Sequence, residues 1–306
     1  MKSFIYILLL LSFNLYADAY KLKAVNVTSN IDCYIGDFNP PTKENKGFVS
    51  NVCSVDMGDS IVIIEAGPTY VFAKELNDLI NKKYNKKVSS VIVTNFHDDR
   101  YTGASYYKEK NIPIIAHNTI IKELKENPDK FNRIPRVTTK EEYAKSKVVK
   151  PDILTNDKYN IKGKNFDIEV LKLSKASNSV SDIAVYIRSE NFIFTGNIVF
   201  NGRMIKYAKY SNINEWIKAL EKIEKMNVKY VMGGHGKEFD KDSYKPTLEY
   251  LKLLNLSVRT AYYEDDVDRD EVSDYVDDKK FSYYEHFSTI SPSNAKTLYD
   301  HLEWEE

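Results

Sequence analysis

A strand-like run that ends in closely spaced polar residues constrains the fold of this chain more than any other stretch. Residues 88–94 are apolar and rich in β-branched side chains, as in a buried strand. Four polar side chains follow directly: Asn95, His97, Asp99 and Arg100. In a loop that leaves a strand, side chains at this spacing can converge, and an imidazole together with a carboxylate suits zinc. The stretch therefore predicts a metal-binding loop, provided that other parts of the chain supply partners.

Length and charge bound the class of protein. The chain has 306 residues, enough for a sizeable core, and its 44 basic residues balance its 44 acidic residues. A general nucleic-acid binder would show a basic excess, so we expect no nucleic-acid partner. No internal repeat or low-complexity tract is visible, as is typical of an ordinary globular protein.

The N-terminus reads as a secretory signal peptide over residues 1–19. Lys2 precedes an apolar run over residues 4–13, and Ala17-Asp18-Ala19 gives an A-x-A cleavage pattern, with cleavage after Ala17 or Ala19. The alternative is an N-terminal membrane anchor, but the run is too short to span a bilayer comfortably. We expect a periplasmic or secreted protein with no stable membrane insertion after cleavage.

Export gives the two cysteines a structural meaning. Cys33 and Cys53 lie in two extended, β-rich segments near the new N-terminus. Antiparallel neighbours would bring them within bridging distance, and an oxidising compartment would preserve the bond. The alternative is two buried free thiols. Neither cysteine is near a catalytic-looking His in sequence, so the pattern predicts a disulfide and not a nucleophile.

The order of the remaining elements predicts an α/β sandwich with two sheets inside layers of helices. Residues 118–150 are polar, rich in lysine and broken by prolines, which indicates a helical insertion in a domain over residues 20–240. Residues 241–306 form a mostly helical C-terminal extension packed on that domain. The predicted elements are strands in 20–55, 61–64, 88–94 and 112–116, a helix over 70–84, a hairpin in 152–173, strands 183–187 and 192–194, a helix from Asn212 to 226, and a strand 228–232.

His235 is the second residue with chemical meaning. It stands in Gly233-Gly234-His235-Gly236, directly after a predicted buried strand. The glycines give the backbone freedom to present the imidazole to a cleft. A lone His is more often structural, but here two strand-end loops carry His or Asp side chains together.

The order of these features resembles the metallo-β-lactamase superfamily over roughly residues 30–240. The resemblance implies an αββα sandwich with a metal site at one edge, between the two sheets. The matching segments are Ile64-Glu65-Ala66-Gly67 for the family's Asp-x-Gly, Thr94 to Arg100 for its His-x-His-x-Asp-His loop, Asn178 for a later His, Phe194-Thr195-Gly196-Asn197 for its Asp or Cys element, and Gly234-His235-Gly236.

Several ligand positions of that family are replaced in this chain. The family's first metal site uses three His, where this chain has Asn95, His97 and Asn178. An amide oxygen is a poor zinc donor beside imidazole or carboxylate. The positions of the second site hold Asp99, Asn197, His235 and Arg100. The resemblance therefore leaves His97, Asp99 and His235 as metal ligands and the other positions as polar residues lining a cleft.

Two further departures concern the support of the site. Glu65 replaces the family's second-shell Asp and is one methylene longer, which would alter how the signature loop is held. The mono-zinc β-lactamase subclass also carries Asn and Arg at the positions of Asn95 and Arg100. That subclass, however, keeps a Cys and a His where this chain has Asn197 and Asn178.

These residues support two hypotheses of function. The first is an exported protein with a depleted metal site, kept as a non-hydrolytic binding or accessory protein for an unknown small molecule. The alternative is a mono-zinc hydrolase in which His97, Asp99 and His235 hold one weakly bound zinc and Asp99 is catalytic. A water on that zinc would cleave an ester, thioester, amide or lactam bond. A purely structural export factor is a third class.

The sequence leaves the role of Arg100 undecided between two alternatives. Arg100 either bonds to Asp99 in place of a metal or points into the cleft toward an anionic ligand. Residues 264–278 resemble a calcium loop, but Glu271 stands where the sharp turn requires Gly, so a solvated acidic loop is favoured. We expect a structural role for His117. No partner is visible for His286 and His301.

Overall fold

Residues 19–304, which the computed structural model describes, form two β-sheets; the predicted leader lies outside them except for Ala19. The first sheet has seven strands in chain order: β1 (Ala24–Thr28), β2 (Ile31–Tyr34), β3 (Val52–Asp56), β4 (Ile61–Ile64), β5 (Val88–Ile92), β6 (Ile114–His117) and β7 (Ile153–Thr155). The second has five: β8 (Lys158–Ile161), β9 (Ile168–Leu171), β10 (Ala184–Ile187), β11 (Phe192–Phe194) and β12 (Tyr230–Met232).

Strand direction changes within each sheet. Strands β1 to β4 pair antiparallel, whereas β4, β5, β6 and β7 pair parallel. The second sheet is antiparallel except for β11 and β12, which run parallel. The central parallel strands are buried on both faces, which explains their continuous apolar sequences. The C-terminal ends of β4, β5, β11 and β12 therefore lie at one edge of the sandwich.

Eight α-helices lie within the described residues. They are α1 (Tyr70–Tyr84), α2 (Asp98–Tyr101), α3 (Ala104–Glu109), α4 (Ile120–Glu126), α5 (Ile213–Met226), α6 (Lys245–Tyr263), α7 (Val272–Tyr275) and α8 (Phe287–Leu302). The long helix α5 begins where the sequence predicts, because the Asn212 side chain accepts a hydrogen bond from the Glu215 amide. It ends at Asn227, which adopts the left-handed conformation.

The elements pack as four layers, which confirms the αββα sandwich. The outer face of the first sheet packs on α1 through residues such as Phe72, Leu76 and Ile80. The inner faces of the two sheets meet in a core that includes Ile92 and Val185. The outer face of the second sheet shares one buried cluster with α5, α6 and α8. A hydrophobic core forms where alternate strand residues and helix stripes face one another.

A disulfide joins Cys33 and Cys53, which lie directly opposite each other on β2 and β3. Both cysteines are fully buried in the core between the two sheets. The bond therefore lies on the interior face of the sandwich, near the edge where the polar residues gather, because Cys53 pairs with Ile64, the residue before Glu65.

Two predictions, one about a strand and one about a side chain, are wrong. Residues 153–155 do not belong to the predicted hairpin, because β7 pairs parallel with β6 in the first sheet and only β8 and β9 form the hairpin. The expectation that His301 lacks a partner also fails, since its Nδ1 lies 2.9 Å from the Tyr207 hydroxyl. In the described part of the chain, no helix is both long and apolar enough to cross a bilayer.

Candidate functional site

Four strand ends bring the polar residues together. Glu65 follows β4, the loop of Asn95 to Arg100 follows β5, Asn197 follows β11 and His235 follows β12. Backbone hydrogen bonds tie the first two loops, because Ala66 donates to the Arg100 carbonyl at 2.8 Å. The site is thus set by the edge of the sandwich and not by one flexible loop.

Gly234 allows the closest approach between these loops. Its amide donates to the Gly196 carbonyl at 2.7 Å. A Cβ at this position would lie 2.6 Å from the Gly196 carbonyl carbon and 3.0 Å from Nη1 of Arg100. Any larger side chain would displace the neighbouring backbone, so the glycine is required for the loop after β12 to reach the centre of the site.

The guanidinium of Arg100 lies at that centre and is fully buried. Its Nη1 donates to Oε1 of Glu65 at 3.1 Å. Its Nη2 donates to Oδ1 of Asn197 at 2.6 Å and to Nε2 of His235 at 3.2 Å. Oδ2 of Asp99 lies 3.6 Å from the same Nη2. The principal carboxylate partner of Arg100 is therefore Glu65, and Asp99 is the more distant one.

The hydrogen bonds fix the tautomers of both histidines. Nδ1 of His235 lies 2.7 Å from the Val49 carbonyl, which only accepts, so Nδ1 carries the proton and Nε2 accepts from Arg100. The Asn197 amide nitrogen donates to Nδ1 of His97 at 3.0 Å. Nε2 of His97 therefore carries the proton and faces the Tyr210 hydroxyl at 3.2 Å. On each ring, the free lone pair already accepts a hydrogen bond.

The asparagines at the replaced ligand positions also bond within this network. Asn197 donates from Nδ2 to Oδ1 of Asn178 at 3.1 Å. Asn95 is turned to the side, because its Nδ2 donates to Oδ1 of Asp182 at 3.0 Å. The oxygen of Asn95 accepts from the amide of His97 at 3.1 Å. The structure thus brings these side chains together through amide hydrogen bonds.

Buried cations set the charge state of the acids and histidines. Burial would raise the pKa of Asp99, but the guanidiniums of Arg100 and Arg133 outweigh it and hold that pKa well below its usual range. Burial lowers the pKa of His97 to about 3. Burial, with Arg203 and Arg100 nearby, also keeps the pKa of His235 well below its ordinary value. At neutral pH the site holds an ionised Asp99 beside two neutral imidazoles.

Comparison with known proteins now identifies the family. The model of the metallo-β-lactamase superfamily matches residues 46–235, which include every site residue described above. The chain belongs to the metallo-β-lactamase superfamily.

Relatives and solved structures of this superfamily cover most of the chain. A metallo-β-lactamase type 2 from Bacillus sp. (strain 170) is 27% identical over 224 residues, covering 71% of this chain and 77% of that protein. The metallo-β-lactamase type 2 of Bacillus cereus is 24% identical over 222 residues, with the same shares covered. The structure of a metallo-β-lactamase from Pontibacter korlensis has a TM-score of 0.62 at 17% identity, covering 76% of this chain and 99% of that one. This last likeness shows the fold alone.

The residues present do not fit the zinc that this superfamily usually binds. A catalytic zinc needs three protein ligands with available lone pairs. In this chain the lone pairs of His97 and His235 accept hydrogen bonds from Asn197 and Arg100. A divalent cation at the centre would also face the positive charge of Arg100 directly. Over residues 19–304, no group of three His, Cys, Asp or Glu side chains is arranged to hold a metal ion.

The acids and bases of this network are poorly suited to activating water by themselves. A general base should titrate near the operating pH and reach the proton that it removes. Burial raises the pKa of Glu65 to about 7, against the opposing effects of Arg100 and Thr94. Glu65 is, however, fully buried and bonded to both residues. His97 and Asp99 have pKa values far below neutral, so they are weak bases.

Three residues near the site have no signal in the sequence. Tyr210 reaches His97 from the loop before α5. Arg133 comes from the 118–150 insertion, and its Nε donates to Oδ1 of Asp98 at 3.0 Å. Arg203 has Nε and Nη1 atoms that are buried and find no hydrogen-bond partner within the part of the chain described. All three lie between the short motifs of the sequence that carry the resemblance, so no local pattern marks them.

Proposed function

We propose that this protein is an exported, non-hydrolytic binding or accessory protein that uses the cleft of the metallo-β-lactamase fold without a bound metal. The proposal depends on one observation above all: the Arg100 guanidinium lies at the centre of the site and bonds to Glu65, Asn197 and His235. A guanidinium cation there balances the buried carboxylates of Glu65 and Asp99, a role that a metal dication would otherwise fill.

The chemistry of the network supports binding more than turnover. The lone pairs with which His97 and His235 would bind a metal already accept hydrogen bonds. At two further ligand positions the chain has amide side chains, Asn178 and Asn197, which bond to each other. A buried network of hydrogen bonds favours one arrangement of its side chains. In this one, Nε of Arg100 and Oδ1 of Asp99 have no hydrogen-bond partner within residues 19–304. Such a network gives a fixed floor to a cleft but offers no group that is ready to attack a bound molecule.

The partner we propose is a small, acidic molecule at the mouth of this cleft. Nζ of Lys130 lies 5.4 Å from the ring centroid of Tyr210, whose hydroxyl contacts His97. Arg203 is close enough to His235 to lower the pKa of that imidazole, and two of its nitrogens are without partners in the described structure. Buried guanidinium nitrogens without a partner are costly, and a carboxylate or phosphate would satisfy them. The sequence supports neither a nucleic-acid nor a membrane partner.

Metal content tests this function. The full chain with its leader is produced in a bacterium and purified from the periplasm without chelator, and zinc is measured by mass spectrometry. We expect far less than one zinc per chain, both as purified and after incubation with zinc and desalting. As a positive control, N95H, N178H and N197C are combined with R100A, which restores family ligands and removes the competing cation.

The mono-zinc hydrolase is the outcome that would overturn the proposal. It requires about one zinc per chain in the natural sequence, together with hydrolysis of an ester, thioester or lactam. Asp99→Ala should then remove both the zinc and the activity, since Asp99 would be a ligand and the catalytic acid-base group. Zinc uptake by the control variant but not by the natural chain would support the proposal directly.

A further inference from the structure

The backbone nitrogen of Tyr20 lies against both oxygens of one carboxylate. It lies 3.2 Å from Oε1 and 3.2 Å from Oε2 of Glu75, a residue of α1. A peptide nitrogen has one hydrogen, which the two oxygens share in a bifurcated hydrogen bond. An α-ammonium group has three hydrogens and a positive charge, and it suits a carboxylate approached in this manner.

The side chain of Tyr20 is also fixed to the start of α1. Its hydroxyl lies 2.8 Å from Oγ1 of Thr69, the residue whose side chain caps this helix. Its ring packs edge-on against Phe72 with centroids 5.1 Å apart. Burial raises the pKa of the Tyr20 hydroxyl far above its ordinary value, so the group stays protonated and can donate to Thr69. Tyr20 is therefore an anchored residue directly after the A-x-A pattern.

We propose that the leader is removed between Ala19 and Tyr20, and that the α-ammonium group released on Tyr20 then binds the Glu75 carboxylate. The inference rests on the proposed export. A signal peptidase supplies the reaction: water cleaves the amide bond, Ala19 leaves as a carboxylate, and the Tyr20 amine takes up a proton. Ala17 and Ala19 then occupy the two small-residue positions of the cleavage pattern.

Cleavage at this bond strengthens the fold that remains. It replaces a neutral amide by a charged donor against Glu75, and charge-assisted hydrogen bonds are about twice as strong as neutral ones. Nζ of Lys46 loses its bond to the Ala19 carbonyl at 2.9 Å but keeps its ion pair with Glu142 at 2.7 Å. We therefore expect the processed chain to be more stable than the precursor.

Intact mass and N-terminal sequencing of the exported protein test the position of the cut. We expect a single product that begins at Tyr20. A product that begins at Asp18, or one that retains the leader, would overturn the inference. Retention of the leader would also count against export, whereas the zinc measurement addresses the metal-free site independently of where the chain begins.

The ammonium–carboxylate pair is tested on the exported product by thermal unfolding of the natural chain and of Glu75→Gln. An α-amino group ordinarily loses its proton near pH 8, and pairing with a carboxylate keeps the proton to higher pH. The natural chain should therefore melt about 2–4 °C above Glu75→Gln at pH 6.5, and this gap should shrink by pH 9.5.

Asp78→Asn is the matched control on the same helix. Asp78 pairs with Lys74 at 2.7 Å on the exposed face of α1. The difference between the natural chain and Asp78→Asn should stay constant between pH 6.5 and 9.5. A Glu75→Gln gap that is equally constant would show that no ammonium is paired there, and it would overturn the inference.

Discussion

The guanidinium of Arg100 and the carboxylate of Glu65 form a buried ion pair whose two members depend on each other. Both side chains have no exposed surface. Burial outweighs the attraction of Arg100 and raises the pKa of Glu65 to about 7, so ionising this carboxylate carries a considerable desolvation cost. Removing one partner leaves a buried charge uncompensated, which destabilises the fold far more than replacing both partners by apolar side chains.

Arg100→Ala should therefore destabilise the protein strongly. Breaking a buried pair costs about 3–5 kcal/mol, to be measured as the free energy of unfolding in urea. Arg188→Ala is the control, since Arg188 pairs with Glu169 at 3.4 Å on the surface and should cost less than about 1 kcal/mol. Equal effects of the two changes would show that Arg100 does not organise the site.

His97 should make the stability depend on pH. Burial lowers its pKa from an ordinary 6.5 to about 3, so between these values the unfolded chain binds a proton that the folded chain does not. The stabilising effect is complete above pH 6.5 and is lost as the pH falls toward 3. In His97→Gln, the free energy of unfolding should fall less steeply between pH 6.5 and 4. If the free energies of unfolding of the two proteins depended on pH in the same way, the lowered pKa of His97 would be contradicted.

At the scale of elements, an ion pair joins the 118–150 insertion to the signature loop. Arg133 bonds to Asp98, whose side chain is fully buried, and lies 3.6 Å from Oδ1 of Asp99. Burial raises the pKa of Asp98, and Arg133 opposes this by favouring the ionised form. The insertion is thus held by this ion pair together with apolar side chains, such as Ile120 and Phe131, that pack into the core of the first sheet.

Arg133→Ala should loosen the insertion while the sandwich stays folded. Hydrogen exchange over residues 118–150 should become faster, because the ion pair that joins the segment to the signature loop is lost. Arg136→Ala, an exposed arginine three residues further on, is the control and should leave exchange unchanged. Unchanged exchange in Arg133→Ala would show that other contacts hold the insertion.

Elements with strong local signals were predictable from the sequence, and those without were not. Helix α5 has a capping Asn212, a buried apolar stripe and a left-handed Asn227 at its end, so its limits follow from local chemistry. Strand β7 has three residues and is only partly buried, and its place beside β6 depends on a partner far away in sequence. Short edge strands carry too little pattern to reveal which sheet they join.

For the molecule as a whole, the C-terminal helices share a core with the sandwich. Leu251 of α6 and Leu298 of α8 belong to the same buried cluster as Trp216 of α5 and Ile193 of β11. Asn294 adds polar contacts, since its side chain accepts from the Tyr207 amide and donates to the Ile205 carbonyl, both at 2.8 Å. Residues joined by one continuous core should unfold together.

Leu298→Ala should therefore destabilise the whole protein. The change removes a fully buried side chain and should cost about 2–5 kcal/mol. Urea curves followed by Trp216 fluorescence and by circular dichroism should shift together in a single transition. Leu256→Ala, at a side chain that is 68% exposed on α6, is the control and should have little effect. An earlier transition at lower urea concentration, seen by circular dichroism but not by Trp216 fluorescence, would show that α8 unfolds by itself.

The sequence alone determined most of the strands and helices, because apolar periodicity is a local pattern. Its strand-end motifs resemble the metallo-β-lactamase superfamily, and that resemblance implied the layers and the residues that gather at the sheet edge. It also showed that asparagines stand at several ligand positions. Only the tertiary structure decided what Arg100 does: its guanidinium bonds to Glu65, Asn197 and His235, three residues contributed by three other strand ends. A long, charged side chain has no partner until the fold brings one within hydrogen-bond distance, and burial then determines how strongly the two are held.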